Sequence, residues 1–135
     1  MAVLSQKSGY AIAELFRVQS NGVTPVPFMT VLPGTVIENV TVRVETPGTG
    51  AANLIVGDDD DADGYALPAD HTAPAGTIYG DGVTERGAYL YDATSKAGHV
   101  KLYNAAKTLS LALSAAGTTQ GIHQVLVVGH RYDIG

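Results

Sequence analysis

Residues 36–65 read VIENVTVRVETPGTGAANLIVGDDDDADGY, and the fold is decided there. Val36, Val40, Val42 and Val44 fall on one side of an extended chain, with Asn39, Thr41, Arg43 and Glu45 on the other. That two-residue period belongs to a strand with one wet face. The following Thr46-Pro-Gly-Thr-Gly50 collects residues with fixed or positive φ, so it predicts a turn into a second short strand from Asn53 to Val56, and hence a hairpin. Asp58, Asp59, Asp60, Asp61 and Asp63 then crowd into a loop closed by Gly64, and so many carboxylates are expected in water at a sheet edge.

Working outward, Tyr10 to Val18 (YAIAELFRV) also fits a helical face through Ile12, Leu15 and Phe16, but its shortness and the Ser20-Asn-Gly22 turn after it favour a strand. Pro25, Pro27 and Pro33 confine Phe28 to Leu32 to a short edge strand. Ala66 to Gly76, with two prolines and no period, is expected to be an extended surface loop. Short strands are expected at Thr77 to Tyr79, Gly87 to Tyr91 and His99 to Tyr103. In Thr108 to Ser114, Leu109, Leu111 and Leu113 share one face. The last strand sets Ile122, Leu126 and Val128 on one face and Val125 and Val127 on the other, which predicts cover on both sides. Eight or so strands with no repeat and no linker predict one all-β domain, a jelly-roll-like β-sandwich over residues 10–135, behind an N-terminal arm of residues 1–9.

Composition agrees. The 135 residues include 16 Gly and 6 Pro but 2 Phe and no Trp, which suits short strands and tight turns. Charged residues make up 16%, so part of the apolar surface is expected to be buried between subunits, and Val127→Asp is expected to weaken an oligomer. Net charge is −5 with the basic residues scattered singly, which argues against nucleic-acid binding. Cysteine is absent, removing disulfides and thiolate chemistry together. No leader and no membrane-spanning run is read, so synthesis in a cytosol is expected, with no membrane partner.

The chemistry on offer is sparse. Asp59-x-Asp61-x-Asp63-Gly64 followed by Asp70 has the spacing of a twelve-residue calcium loop. Against calcium stand flanks that are not helical, Asp in place of the closing Glu, and Pro68 inside the loop, and charge runs are usually solvated. His71, His99, His123 and His130 lack any ligand spacing. Gly48-Thr-Gly50 and Gly80-Asp-Gly82 precede no helix, no nucleophile elbow occurs, and Asn39-Val-Thr41 is a glycosylation triplet in mid-strand. No catalytic residue, cofactor or metal is therefore assigned. Among Tyr79, Tyr89, Tyr91 and Tyr103, the strand reading puts Tyr89 and Tyr91 on one face, which suits a sugar platform, a core rim or a subunit interface.

Val40-Thr-Val-Arg-Val44, Thr46-Pro-Gly-Thr, Asn53-Leu-Ile-Val-Gly-Asp58 and Asp61-Ala-Asp-Gly-Tyr65, with the C-terminal LSLALSAAGTTQGIHQVLVVGHRY, resemble small virion proteins of tailed bacteriophages over roughly residues 36–132. The resemblance implies a β-sandwich subunit, commonly a homotrimer, that decorates or cements a capsid by bridging major capsid subunits. It equally admits a tail or fibre component, or a receptor- or glycan-binding module. The expected location is the capsid surface of the virion, and the expected class is non-enzymatic.

Overall fold

The computed structural model describes residues 9–82, 85–115 and 120–132, with backbone alone at 67–69. Eleven strands run in chain order: β1 (Gly9–Gln19), β2 (Val26–Val31), β3 (Thr35–Thr46), β4 (Asn53–Gly57), β5 (Ala66–Asp70), β6 (Ile78–Tyr79), β7 (Tyr91–Asp92), β8 (Ala97–Gly98), β9 (Lys101–Leu102), β10 (Lys107–Leu113) and β11 (Ile122–Tyr132). Sheet one has the order β1-β11-β3-β6, with β9 also on β3; sheet two has the order β2-β10-β4-β5; β7 and β8 form a separate small hairpin. All these strand pairs are antiparallel.

The pairings nest. β1 with β11 and β3 with β6 lie in sheet one, while β2 with β10 and β4 with β5 lie in sheet two. A long hairpin wound onto itself in this way is a jelly roll, the sandwich that the strand count predicted. Its core draws on both sheets: Val18, Ile37, Val40, Val42, Val125 and Val127 from one, Val31, Leu54, Val56, Leu109, Leu111 and Leu113 from the other. Phe16 and Phe28 meet at 5.3 Å between centroids and tie the edge strands β1 and β2 together.

Strand β3 carries the predicted alternation, with Val40, Val42 and Val44 buried and Arg43 exposed. Its pairing with β11 passes from Asn39↔Val128 to Ile37↔Gly129, so Glu38 is an extra residue and the phase resets. Ile37 thereby enters the core. Gly129 is required at this bulge, since a Cβ there would lie 2.1 Å from the Val36 carbonyl oxygen.

Several expectations are corrected. β3 and β4 form no hairpin, because Thr46–Ala52 carries the chain from sheet one to sheet two. Ala66 to Gly76 is no free loop. Its first half is β5, which pairs with β4 from Asn53↔Asp70 to Val56↔Ala66, and Pro68 is tolerated because β5 is an edge strand. Gly87 to Tyr91 is a turn, with the Leu90 and Tyr91 amides both donating to the Gly87 carbonyl. Glycine is required at this turn because a Cβ on Gly87 would stand 2.3 Å from the Asp63 carbonyl oxygen. Of His99 to Tyr103, Lys101–Leu102 is strand. Gly9, assigned to the arm, already belongs to β1, and residues 1–8 lie outside the described residues. Among the described residues the last strand is covered on one face alone, with Leu126 left 37% exposed.

Candidate interaction surface

The open face of sheet one is built from three long strands in register. Leu15, Leu126 and Thr41 form one row, Ala13, Val128 and Asn39 the next, and Arg17, Gln124 and Arg43 a third. Alternation sends Phe16 and Val18 of β1 and His123, Val125 and Val127 of β11 inward, and leaves these apolar side chains on the opposite face. Leu15 is 63% exposed beside the 37% exposed Leu126, giving an apolar centre. Charge rims it at both ends. The Arg17 guanidinium donates through Nη2 to Glu45 at 2.7 Å, Gln124 donates to the same carboxylate at 3.0 Å, and Arg43 donates to Gln124. The hydrogen bond from Arg17, then that from Gln124, holds Glu45 below the usual carboxylate range. At the far end His130 Nδ1 lies 3.2 Å from Glu38, and the His130 ring stands edge-on to Tyr132. Beside this face, β1 pairs with β11 along one edge and has no strand partner among the described residues along the other.

The acidic loop is organised differently from its sequence reading. Asp58 is buried, a correction to a loop expected wholly in water. One carboxylate oxygen accepts the amides of Asp60 and Asp61 at 2.9 and 3.0 Å and the Tyr89 hydroxyl at 2.8 Å. The other accepts the Tyr103 hydroxyl at 2.6 Å, and Tyr65 closes the chain through its hydroxyl on Tyr103. Burial opposes ionisation of Asp58, but the two tyrosine and two amide hydrogen bonds outweigh it and leave its pKa lowered. Burial pushes all three phenols up, Tyr103 furthest. Lys101 Nζ sits 4.2 Å over the Tyr89 ring. Gly64 is needed here because a Cβ would lie 2.5 Å from that ring.

The formal calcium set is not assembled. Asp59 accepts the Thr108 amide and Asp61 the Asp63 amide, whereas Asp70 turns to Thr72. Among the described residues no three His, Asp or Glu side chains converge on a point where a cation would sit. The tyrosine platform is corrected too, since Tyr89 is in a turn and Tyr91 in β7, and Tyr65, Tyr89 and Tyr103 are spent on Asp58. Of the histidines, His99 is exposed, His130 faces Glu38, and His71 and His123 are fully buried. Val127, offered as an interface residue, lies wholly in the core. Sequence reasoning missed the role of Asp58, although the pattern of one Asp directly after a strand glycine, ahead of an acidic run, marks a residue whose carboxylate caps the loop's amides.

No protein-family model and no curated protein matches this chain. Among solved structures, the chain is similar to one in the capsid asymmetric unit of cyanophage Pam1, with a TM-score of 0.61 and 16% identity over 96% of this chain and 94% of that one. A chain of the acid-stable capsid of Helicobacter pylori bacteriophage KHP30 matches with a TM-score of 0.48 and 14% identity over 93% of each chain. This protein therefore shares its fold, from end to end, with a chain of a phage capsid assembly.

Proposed function

We propose that this protein is a non-enzymatic structural component of a phage head, a decoration or cement protein that acts as a homotrimer and bridges major capsid subunits from the capsid surface. The observation that carries this reading is the likeness to the Pam1 capsid chain, which spans nearly the whole of both chains. The open face of sheet one supports it. Apolar rows with a charged rim are the anatomy of a subunit interface, and burying what is still exposed would contribute roughly 1–2 kcal/mol for Leu15 and roughly 0.5–1 kcal/mol for Leu126 per copy. A trimer multiplies weak contacts with a shell through avidity, so no deep pocket is needed. The arm before β1 and the open β1 edge are the segments assigned to shell contact. On this reading the chain is made in the host cytoplasm and resides in the virion, with no nucleic-acid or membrane partner.

The test binds purified protein to undecorated mature shells and measures their resistance to heat, with light scattering for the free protein. Wild type is expected to be trimeric and to raise shell resistance, and Leu126→Asp to yield folded monomers that bind weakly. A protein that ignores shells but binds a tail assembly or host-surface glycan belongs to the fibre or receptor-binding class instead.

A further inference from the structure

His71 and His123 are the two fully buried basic groups among the described residues, and they come from opposite sheets. His123 projects inward from β11, in register with Val18 of β1 and Val44 of β3. His71 directly follows β5 of sheet two. Its carbonyl accepts the Gly48 amide at 3.1 Å, and its Nε2 lies 3.1 Å from the Gly50 carbonyl, to which it donates. That leaves Nδ1 of His71 and both ring nitrogens of His123 buried without a partner. A neutral imidazole carries one N–H, and among the described residues that of His123 has no acceptor at hydrogen-bonding distance, only a weaker approach to the His71 backbone. The packing leaves no slack, because a Cβ on Gly121 would already stand 3.0 Å from His123 Cε1.

Among the described residues the one contact that favours a positive charge on His123 is the His71 backbone, and burial outweighs it. The elements packed on His123 offer Val18, Val44 and backbone at Gly121, none of them charged. Arg17, Arg43 and Glu45 project from the opposite face of sheet one. Asp70 is exposed and engaged by Thr72, with His71 contributing least to holding its carboxylate low, and Tyr79, inward on β6, is raised further into the alkaline range. The titratable group that acts on His123 is His71.

We propose that the buried His71–His123 pair is an acid-sensitive latch between the two sheets, which holds this end of the sandwich closed while the His123 ring is neutral and opens it when that ring takes up a proton. Burial first, then the neighbouring His71, pushes His123 down to about 4. An unfolded chain binds that proton near pH 6.5, so stability is intact above about 6.5 and falls until the folded form protonates too. Across that window the unfolding equilibrium constant rises by about tenfold per pH unit, roughly 300-fold in all.

The experiment measures urea unfolding of the full chain from pH 7.5 to 3.5, for wild type, His123→Phe and His130→Gln. Wild type and His130→Gln are expected to lose stability steeply between about pH 6.5 and 4, and His123→Phe to be flat there. A wild-type profile that is flat across this range, or a slope that survives in His123→Phe, overturns the proposal. Should His123→Phe not fold, proton NMR of native wild type decides: a His123 ring that titrates near pH 6.5 in the folded state overturns the latch, and one silent until near pH 4 upholds it.

Discussion

Asp58 and His123 are both buried ionisable groups, and the molecule treats them in opposite ways. Asp58 receives two amides and two phenols, so every direction from which water was removed is refilled by a donor. His123 has no partner at hydrogen-bonding distance among the described residues, and burial outweighs what the His71 backbone offers it. Burial alone therefore predicts neither group's state. The carboxylate stays charged because its donors outweigh desolvation, whereas the imidazole stays neutral because nothing does. One end of the sandwich is stapled by a charge, and the other is closed only in the absence of one.

The sharpest way to break this contrast is to remove the staple. Asp58→Ala strands the Tyr89 and Tyr103 hydroxyls and two loop amides, and is expected to cost about 3 kcal/mol or more in denaturant unfolding at pH 7. Asp59→Ala gives up one amide contact on an exposed loop, so equal losses for the two variants would show that Asp58 is not the organiser. Next in size, Tyr103→Phe removes the hydroxyl that joins Asp58 to Tyr65 and should cost on the order of 1–2 kcal/mol, with Tyr89→Phe, at the half-exposed ring, costing less.

Titration separates the two ends along the pH axis. The lowered folded pKa of Asp58 means that its contribution is present above the unfolded value near 3.9 and is lost as pH falls through the still lower folded one. The His123 contribution is lost at higher pH, between about 6.5 and 4. Thermal melts from pH 7 to 2 are thus expected to show two successive losses, and Asp58→Asn should erase the lower one alone. A single loss that vanishes in Asp58→Asn would assign all acid sensitivity to the carboxylate. Smallest of all, millimolar Ca²⁺ against chelator should leave the melting temperature unchanged, because Asp59, Asp61, Asp63 and Asp70 do not converge.

The sandwich was legible because alternation is a local property. Val40, Val42 and Val44, like Leu109, Leu111 and Leu113, report one buried face without reference to anything distant. What escaped depended on partners far along the chain. Asp58 looks like any member of an acidic run until Tyr89 and Tyr103 arrive from a later excursion, and Gly87 looks like strand until the Asp63 backbone occupies the space its side chain would need. The open face of sheet one was half visible: Leu126 and Val128 were placed on the right face, but whether a face is covered depends on what packs there, and among the described residues nothing covers Leu126 fully. Val127 was misjudged as an interface residue for the same reason.

The nested pairing also orders the life of the chain. Strand β1 finds its partner in β11, with Gly9 opposite Tyr132, so on a ribosome β1 waits until the whole of the intervening sandwich has been made. Sheet one is incomplete until β11 has been made, and closing so large a loop is slow compared with forming local contacts. The apolar inner faces of β1 and β3 are thus exposed together in a nascent chain that lacks β11, the strand which lies between them. A chain terminated before Ile122 keeps sheet two but loses the centre of sheet one, so premature termination late in the message should yield aggregation rather than a shortened functional domain.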